Sequence, residues 1–275
     1  MNMMSRPFWW SEFSANTFAG IDPMQTIALM PVAATEQHGP HLPLGTDTIL
    51  NQGCLDLLRD RIAADLDLRV LPIMQVGKSN EHIWATGTLT HTAHTLIDAW
   101  IEIGLSVART GIRKLLIVNS HGGNEEIIGI VARELRVQAD MLVIKSGWSK
   151  FAPPDGLLPD SERRHGIHGG DFETSMMLAF RPDLVVLDRL ADFPSVAARD
   201  EARFTHLRPT GQHAYAWIAS DLNPAGTVGN AKRASAERGH LIAEREVSGM
   251  IELLADIRNC PLPEPARTLP HRTGF

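Results

Sequence analysis

Disulfide chemistry has little to work with in this chain. Its 275 residues include two cysteines, Cys54 and Cys260, far apart and in no CxxC arrangement. That excludes a disulfide framework and fits a reducing compartment, with both thiols read as small packing residues. A basic stripe is also missing. Lys and Arg number 26 against 32 Asp and Glu, and the resulting charge of −6 is spread along the chain. Nucleic acid and anionic membrane are therefore poor partners. No apolar run reaches the length of a membrane span, with TIALMPVAA and KLLIVNS among the longest. The start, MNMMSRPFWWSEFSANTF, has neither the basic n-region nor the apolar h-region of a signal peptide. GKS at 77–79 is no phosphate loop, because Pro72 stands where Walker A needs a glycine. A cytoplasmic enzyme or binding protein is the expectation.

Histidine is in surplus. Of the 12, His38, His41, His82, His121, His165 and His168 fall in four short polar segments. Neutral imidazole is a common metal ligand and the usual acid–base group near neutral pH. The composition is otherwise ordinary, at 44% hydrophobic and 21% charged residues, and the length suffices for a large core without a structural metal.

The apolar run 26–34 predicts a strand covered on both faces. Residues 49–66 read as an amphipathic helix, and 68–76 as a second strand weakened by Pro72. A helix over 94–110 stops at Gly111, followed by a buried strand at 113–120. A helix over 125–138 has Asn124 as its expected N-cap, and 141–148 is a fourth strand. This alternation predicts an α/β protein with a mainly parallel sheet and helices on both faces. Residues 1–260 are expected as one domain. The stretch 191–225 is irregular, 231–257 reads as a helix broken near Gly239, and 261–275 as a proline-rich tail.

Ligands of open α/β sheets bind beyond the carboxyl ends of the strands. Four polar segments fall there: EQHGPHLPLGTD, SNEH, SHGGN and RRHGIHGGDFETS. Glu36 and His38, two apart, point the same way on extended chain, and Asp47 returns before the next helix. Carboxylates with imidazole suit zinc, manganese or iron(II). His121 would add a nitrogen, and Gly122 and Gly123 let backbone approach an ion or substrate. Glu173 is a further candidate ligand and His168 a general acid–base group. Ser79, Glu81 and His82 are candidate substrate contacts, and Trp84 a pocket wall. Taken singly, Asp47 could simply cap a helix and Glu173 interact with a helix dipole. Four such groups at one sheet edge favour a metal, because unpaired they are costly to desolvate.

These segments, in this order, resemble the creatininase (creatinine amidohydrolase) family, as does the later SDLNPAGTVGNAKRASAERG. The resemblance covers nearly the whole chain. It implies a three-layer α/β/α fold, commonly hexameric, and a dinuclear metal centre hydrolysing amide or formamide C–N bonds through a metal-activated hydroxide. Glu36, His38, Asp47 and His121 match the family's ligands, Asp47 as the bridge, and His168 matches the catalytic histidine. Two departures stand out. Gly122 and Gly123 replace an aromatic residue and a ligating glutamate, which leaves Glu173 or solvent to complete the second site. Arg164 and His165 occupy the place of a tryptophan lid, so creatinine itself is not the expected substrate. The HGGN form is similar to branches acting on formamides in pterin and flavin pathways or on peptide precursors of redox cofactors. Arg163, Arg164 and His165 suit an anionic group on the substrate.

The expectation is therefore a metal-dependent amidohydrolase for a small molecule. It would hold two divalent ions, zinc first, with manganese or iron as alternatives. Glu173 would serve as both ligand and catalytic group. A mononuclear lyase or isomerase, and a non-catalytic ligand-binding protein, are the rival readings.

Overall fold

β-Branched and leucine-rich runs build the centre of the molecule. The computed structural model describes residues 7–265, so residues 266–275 of the expected tail lie outside it. In chain order the elements are β1 (Ile27–Val32), α1 (Thr46–Arg61), β2 (Leu68–Val70), α2 (Ala93–Arg109), β3 (Lys114–Asn119), α3 (Glu125–Ala139) and β4 (Leu142–Gly147). They are followed by α4 (Asp160–His165), α5 (Asp171–Phe180), β5 (Asp192–Phe193), α6 (Val196–Arg203), α7 (Ala219–Leu222), β6 (Gly229–Asn230) and α8 (Ala236–Asn259). The main sheet is parallel throughout, in the order β2-β1-β3-β4. β5 and β6 form a small antiparallel ribbon.

Strand alternation sorts the core into two layers. Ile27 and Leu29 of β1, with Leu116 and Val118 of β3, face the layer of α1, α5 and α8. Ala28, Met30 and Val32, with Leu115 and Ile117, face the layer of α2 and α3. The chain steps from β1 outward to β2 and then back past β1 to β3 and β4. Right-handed crossovers in opposite directions place their helices on opposite faces, which is the three-layer α/β/α arrangement. The reversal leaves a crevice at the carboxyl ends of β1 and β3.

Three expectations change here. Strand 68–76 pairs regularly only over Leu68–Val70, since Pro72 has no N–H for the ladder, and pairing resumes where Met74 N donates to the Pro31 carbonyl. α8 runs unbroken past Gly239. A Cβ there would overlap the Ser175 carbonyl of α5, so glycine serves close helix packing rather than a break. Cys260 is exposed, whereas Cys54 is buried as expected.

Lys114, fully buried at the start of β3, donates through Nζ to the carbonyls of Ile257 and Arg258. It thereby satisfies two orphan carbonyls at the end of α8. Between α1 and α8 the Cys54 thiol donates to Glu246 Oε2 at 3.6 Å, while Glu246 Oε1 has no hydrogen-bond partner among the described residues. Burial pushes the Glu246 carboxyl from an ordinary 4.5 up to about 8. Between those values the folded chain holds a proton that the unfolded chain releases, so stability falls as pH rises through that window. Chemical denaturation from pH 4 to 9 should show this decline, with a slope of up to about 1.4 kcal/mol per pH unit in the middle of the window. Glu246→Gln should remove that contribution and leave the protein more stable than wild type at pH 8 to 9.

Candidate metal centre and cleft

Beyond Val32 the chain stays extended to His38 and then turns back. Glu36 N donates to the Leu44 carbonyl at 2.9 Å, and Gly39 takes a left-handed φ of 69° at the bend. Pro40 and Pro43 stiffen the excursion. Asp47 lies in the first turn of α1, behind Gly45 at the N-cap. It is buried and faces two imidazoles. His38 Nε2 stands 3.3 Å from Asp47 Oδ1, and His121 Nδ1 stands 3.4 Å from Asp47 Oδ2.

Each imidazole meets a second carboxylate. His121 Nδ1 is 3.1 Å from Glu36 Oε1, and His38 Nε2 is 3.9 Å from Glu173 Oε2. The outward nitrogens are committed elsewhere. His38 Nδ1–H donates to the Glu36 carbonyl at 3.1 Å, and His121 Nε2–H donates to the Lys78 carbonyl at 2.8 Å. Both rings thus turn their remaining nitrogen toward the carboxylates, the orientation that metal-binding histidines need. Ser79 Oγ donates to Glu36 Oε2 at 2.5 Å. Asn119 brackets His121, with Oδ1 accepting from His121 N at 3.1 Å and Nδ2 donating to His121 O at 2.6 Å.

His168 is stacked between the rings of His38 and His82, each centroid 4.2 Å away. Its Nε2–H donates to the Gln37 carbonyl at 2.7 Å, which leaves Nδ1 facing Glu36 Oε1 at 3.7 Å. His82 presents Nε2 to Glu36 Oε1 at 3.5 Å, and its Nδ1 accepts from Gln37 Nε2 at 2.6 Å.

Burial and mutual charge set the protonation states. Burial would lower His38 and His121, but Asp47 beside the first and Glu36 beside the second lift both to about 10. Burial would raise Glu36, but His121, His168 and His82 hold it well below the carboxylate range. Burial raises Asp47, and raises Glu173 to about 7. Burial followed by the charges of His38 and His82 holds His168 well below its usual value, and burial lowers His82 to about 4.

A divalent ion fits this donor set. His38 Nε2 and Asp47 Oδ2 are buried with no hydrogen-bond partner among the described residues, a costly condition unless an ion fills it. His38, Asp47 and Glu173 bring one donor atom each within 4.8 Å of one another. Glu36 forms two further groupings of that kind, one with Glu81 and His121 and one with His38 and His168, and Asp47 turns its other oxygen to His121 at 3.4 Å. The oxygen and nitrogen donors suit zinc, manganese or iron.

The remaining expected residues divide by place. Gly122, His121 and Glu173 line a cleft of about 490 Å³, together with Phe172, Lys150 and Arg163. Another cavity, of about 480 Å³ beside Gly53 and Phe180, contains none of these groups. Gly123 packs its bare Cα against His121, with no room for a Cβ. Glu81 Oε1 is 3.4 Å from His121 Nε2. Arg164 and His165 are part of the short helix α4, where a loop is expected, and pair with Glu201 of α6 at 2.7 and 2.9 Å. Trp84 is 45% exposed. Asn124 makes no side-chain cap. Its amide accepts from Lys78 N at 2.9 Å and donates to the Ala33 carbonyl at 3.1 Å, tying the loops after β1 and β2 to α3.

Three residues carry weight that their local sequence does not announce. Gln37, on the opposite side of the extended chain from Glu36 and His38, orients His82 and also donates to the Gly226 carbonyl at 2.5 Å. His41 reaches the Gly169 carbonyl at 2.9 Å and Thr174 Oγ1 at 3.0 Å. Glu162, buried in α4, accepts from Asp171 N at 2.7 Å and Asn230 N at 2.9 Å, clasping the loop that carries His168. The glycines at 166, 169 and 170 are the one available signal of that tight loop.

Comparison with known proteins gives the family. The family model Creatininase: Creatinine amidohydrolase matches residues 11–254. The chain is similar to creatinine amidohydrolase of Pseudomonas putida, 33% identical over 264 residues, covering 90% of this chain and 94% of the relative. It is also similar to the mycofactocin precursor peptide peptidase of Mycolicibacterium smegmatis, 30% identical over 241 residues, covering 87% and 88%. The solved structure described as creatininase with manganese superposes with a TM-score of 0.71 at 27% identity, covering 91% of this chain and 98% of its own. The chain belongs to the creatininase family of metal-dependent amidohydrolases.

Proposed function

We propose that the chain hydrolyses a formamide or comparable amide C–N bond of a small molecule, using two divalent ions that share Asp47. Glu36 and His121 would complete one site, and His38 and Glu173 the other. Zinc is the first candidate, with manganese or iron as alternatives. The observation that carries the reading is Asp47, fully buried, with each oxygen turned to a different imidazole and Oδ2 without a hydrogen-bond partner among the described residues. Ions held there would polarise a carbonyl and acidify a water enough to supply hydroxide near neutral pH.

The chain's own groups divide the rest of the work. His121 and Glu173 open onto the cleft, so the scissile carbonyl would enter between them. The bond from His168 Nε2–H to the Gln37 carbonyl fixes the tautomer and leaves Nδ1 to carry a proton to the leaving nitrogen. Ser79 holds the second oxygen of Glu36 in place. Arg163 on the cleft wall suits an anionic substituent, and Lys150, 3.2 Å from Glu125, adds a partly neutralised cation. Gly122 leaves the histidine side of the cleft without a side chain. No helix among the described residues is long and apolar enough to cross a membrane, and we place the protein in the cytoplasm as a homohexamer.

Asp47→Ala should lose both ions by elemental analysis and reduce kcat/KM by about 10³-fold or more while keeping the circular-dichroism spectrum. His168→Ala should retain the ions and lose roughly 10²- to 10⁴-fold in kcat. Cyclic amides and N-formyl compounds, incubated with the metal-loaded protein, should release amine or formate. Turnover of a related substrate without either product, in protein holding one ion, would favour a lyase or isomerase instead.

A further inference from the structure

Glu81 sits on the short 3₁₀ turn Asn80–His82 and reaches back to the far side of the His121 ring. Its Oε1 is 3.4 Å from His121 Nε2, the nitrogen opposite the one that faces Glu36 and Asp47. That nitrogen donates to the Lys78 carbonyl at 2.8 Å and so carries the proton. The Lys78 carbonyl thus takes that N–H, and the Glu81 carboxylate stands beside the same nitrogen in ion-pair range.

Gly123 makes this approach possible. A Cβ at 123 would overlap Glu81 Oε1 and the Lys78 carbonyl, and would come within 2.5 Å of His121 Nε2. The space that any side chain at 123 would need is thus filled by the Glu81 carboxylate. By contrast, a Cβ at the adjacent Gly122 would meet nothing within 4 Å, so the close fit is specific to 123. The Glu81 side chain keeps 18% exposure, while the His121 side chain keeps 5%.

We infer that Glu81 is a positioning residue for the metal centre, forming with His121 a carboxylate–histidine pair whose Nδ1 faces Glu36 and Asp47, and that the bare Cα of Gly123 is the opening through which it acts. A carboxylate behind a ligating imidazole fixes its tautomer and ring orientation and increases its basicity. The inference rests on the proposed metal-dependent reading and separates Glu81 from the role of a direct substrate contact.

The test compares wild type, Glu81→Gln and Glu81→Ala, each loaded with zinc and titrated against a chromogenic chelator, with thermal melting to confirm folding. Glu81→Ala should weaken zinc affinity about 10- to 100-fold, Glu81→Gln by less because its amide oxygen still accepts, and saturating zinc should restore kcat with KM unchanged. Unchanged zinc affinity in a folded Glu81→Ala protein would overturn the inference. So would a raised KM that persists at saturating zinc, which would mark a substrate contact. Permanent loss of one ion would make Glu81 a ligand in its own right and equally overturn the positioning role. Failure of wild type itself to bind zinc, manganese or iron would instead remove the reading on which the inference rests.

Discussion

The site depends on burying one carboxylate, Asp47, between two imidazoles. Isolated, such a charge would be expensive to remove from water. Its compensation comes from His38 and His121, contributed by segments beyond different strands, and the arrangement therefore requires those segments to meet. Asn124 and Asn119 make them meet, bonding the loop ends to one another through side-chain amides. Asp47 Oδ2 has no hydrogen-bond partner among the described residues, and a cation is what an acceptor-only carboxylate would accept.

The fold supplies the place. β1 and β3 are adjacent and parallel, with their carboxyl ends at one edge, and the chain reverses its direction of travel across the sheet between them. Glu36 and His38 leave from one strand and His121 from the other. α1 and α5 then direct Asp47 and Glu173 toward the same point from their first turns. The rigid part of the site thus rests on regular elements. The cleft is lined in part by the segment around α4, which Glu162 clasps to the His168 loop through backbone N–H groups.

Much of this was legible in the chain. Continuous apolar runs marked β1 and β3, and periodic ones marked α2 and α3, because buried elements impose those patterns. The residues that gather around Asp47 could be picked out because carboxylates and histidines are concentrated in short segments at predicted strand ends. What stayed hidden depends on contacts distant in sequence. Glu162 bonds Asn230, 68 positions away, and no local pattern reports it. Asn124 looked like a helix cap because caps are a local rule, but its amide is drawn to Ala33 and Lys78 instead. Gly239 looked like a break because propensity disfavours glycine in helices, whereas the close approach of α5 demands it. Arg164 and His165 read as loop cations until α6 brought Glu201 beside them.

Membership of the creatininase family accounts for the overall plan, while this chain's own residues set its particular character, notably the glycines beside His121 and the carboxylate of Glu81. The central claim is that Asp47 joins two ions. Crystals grown with zinc or manganese, with diffraction recorded on either side of that metal's absorption edge, test it directly. Two anomalous peaks flanking the Asp47 carboxylate, one next to Glu36 and His121 and the other next to His38 and Glu173, are predicted. A single peak that Asp47 does not touch, or none in metal-saturated crystals, would contradict the account.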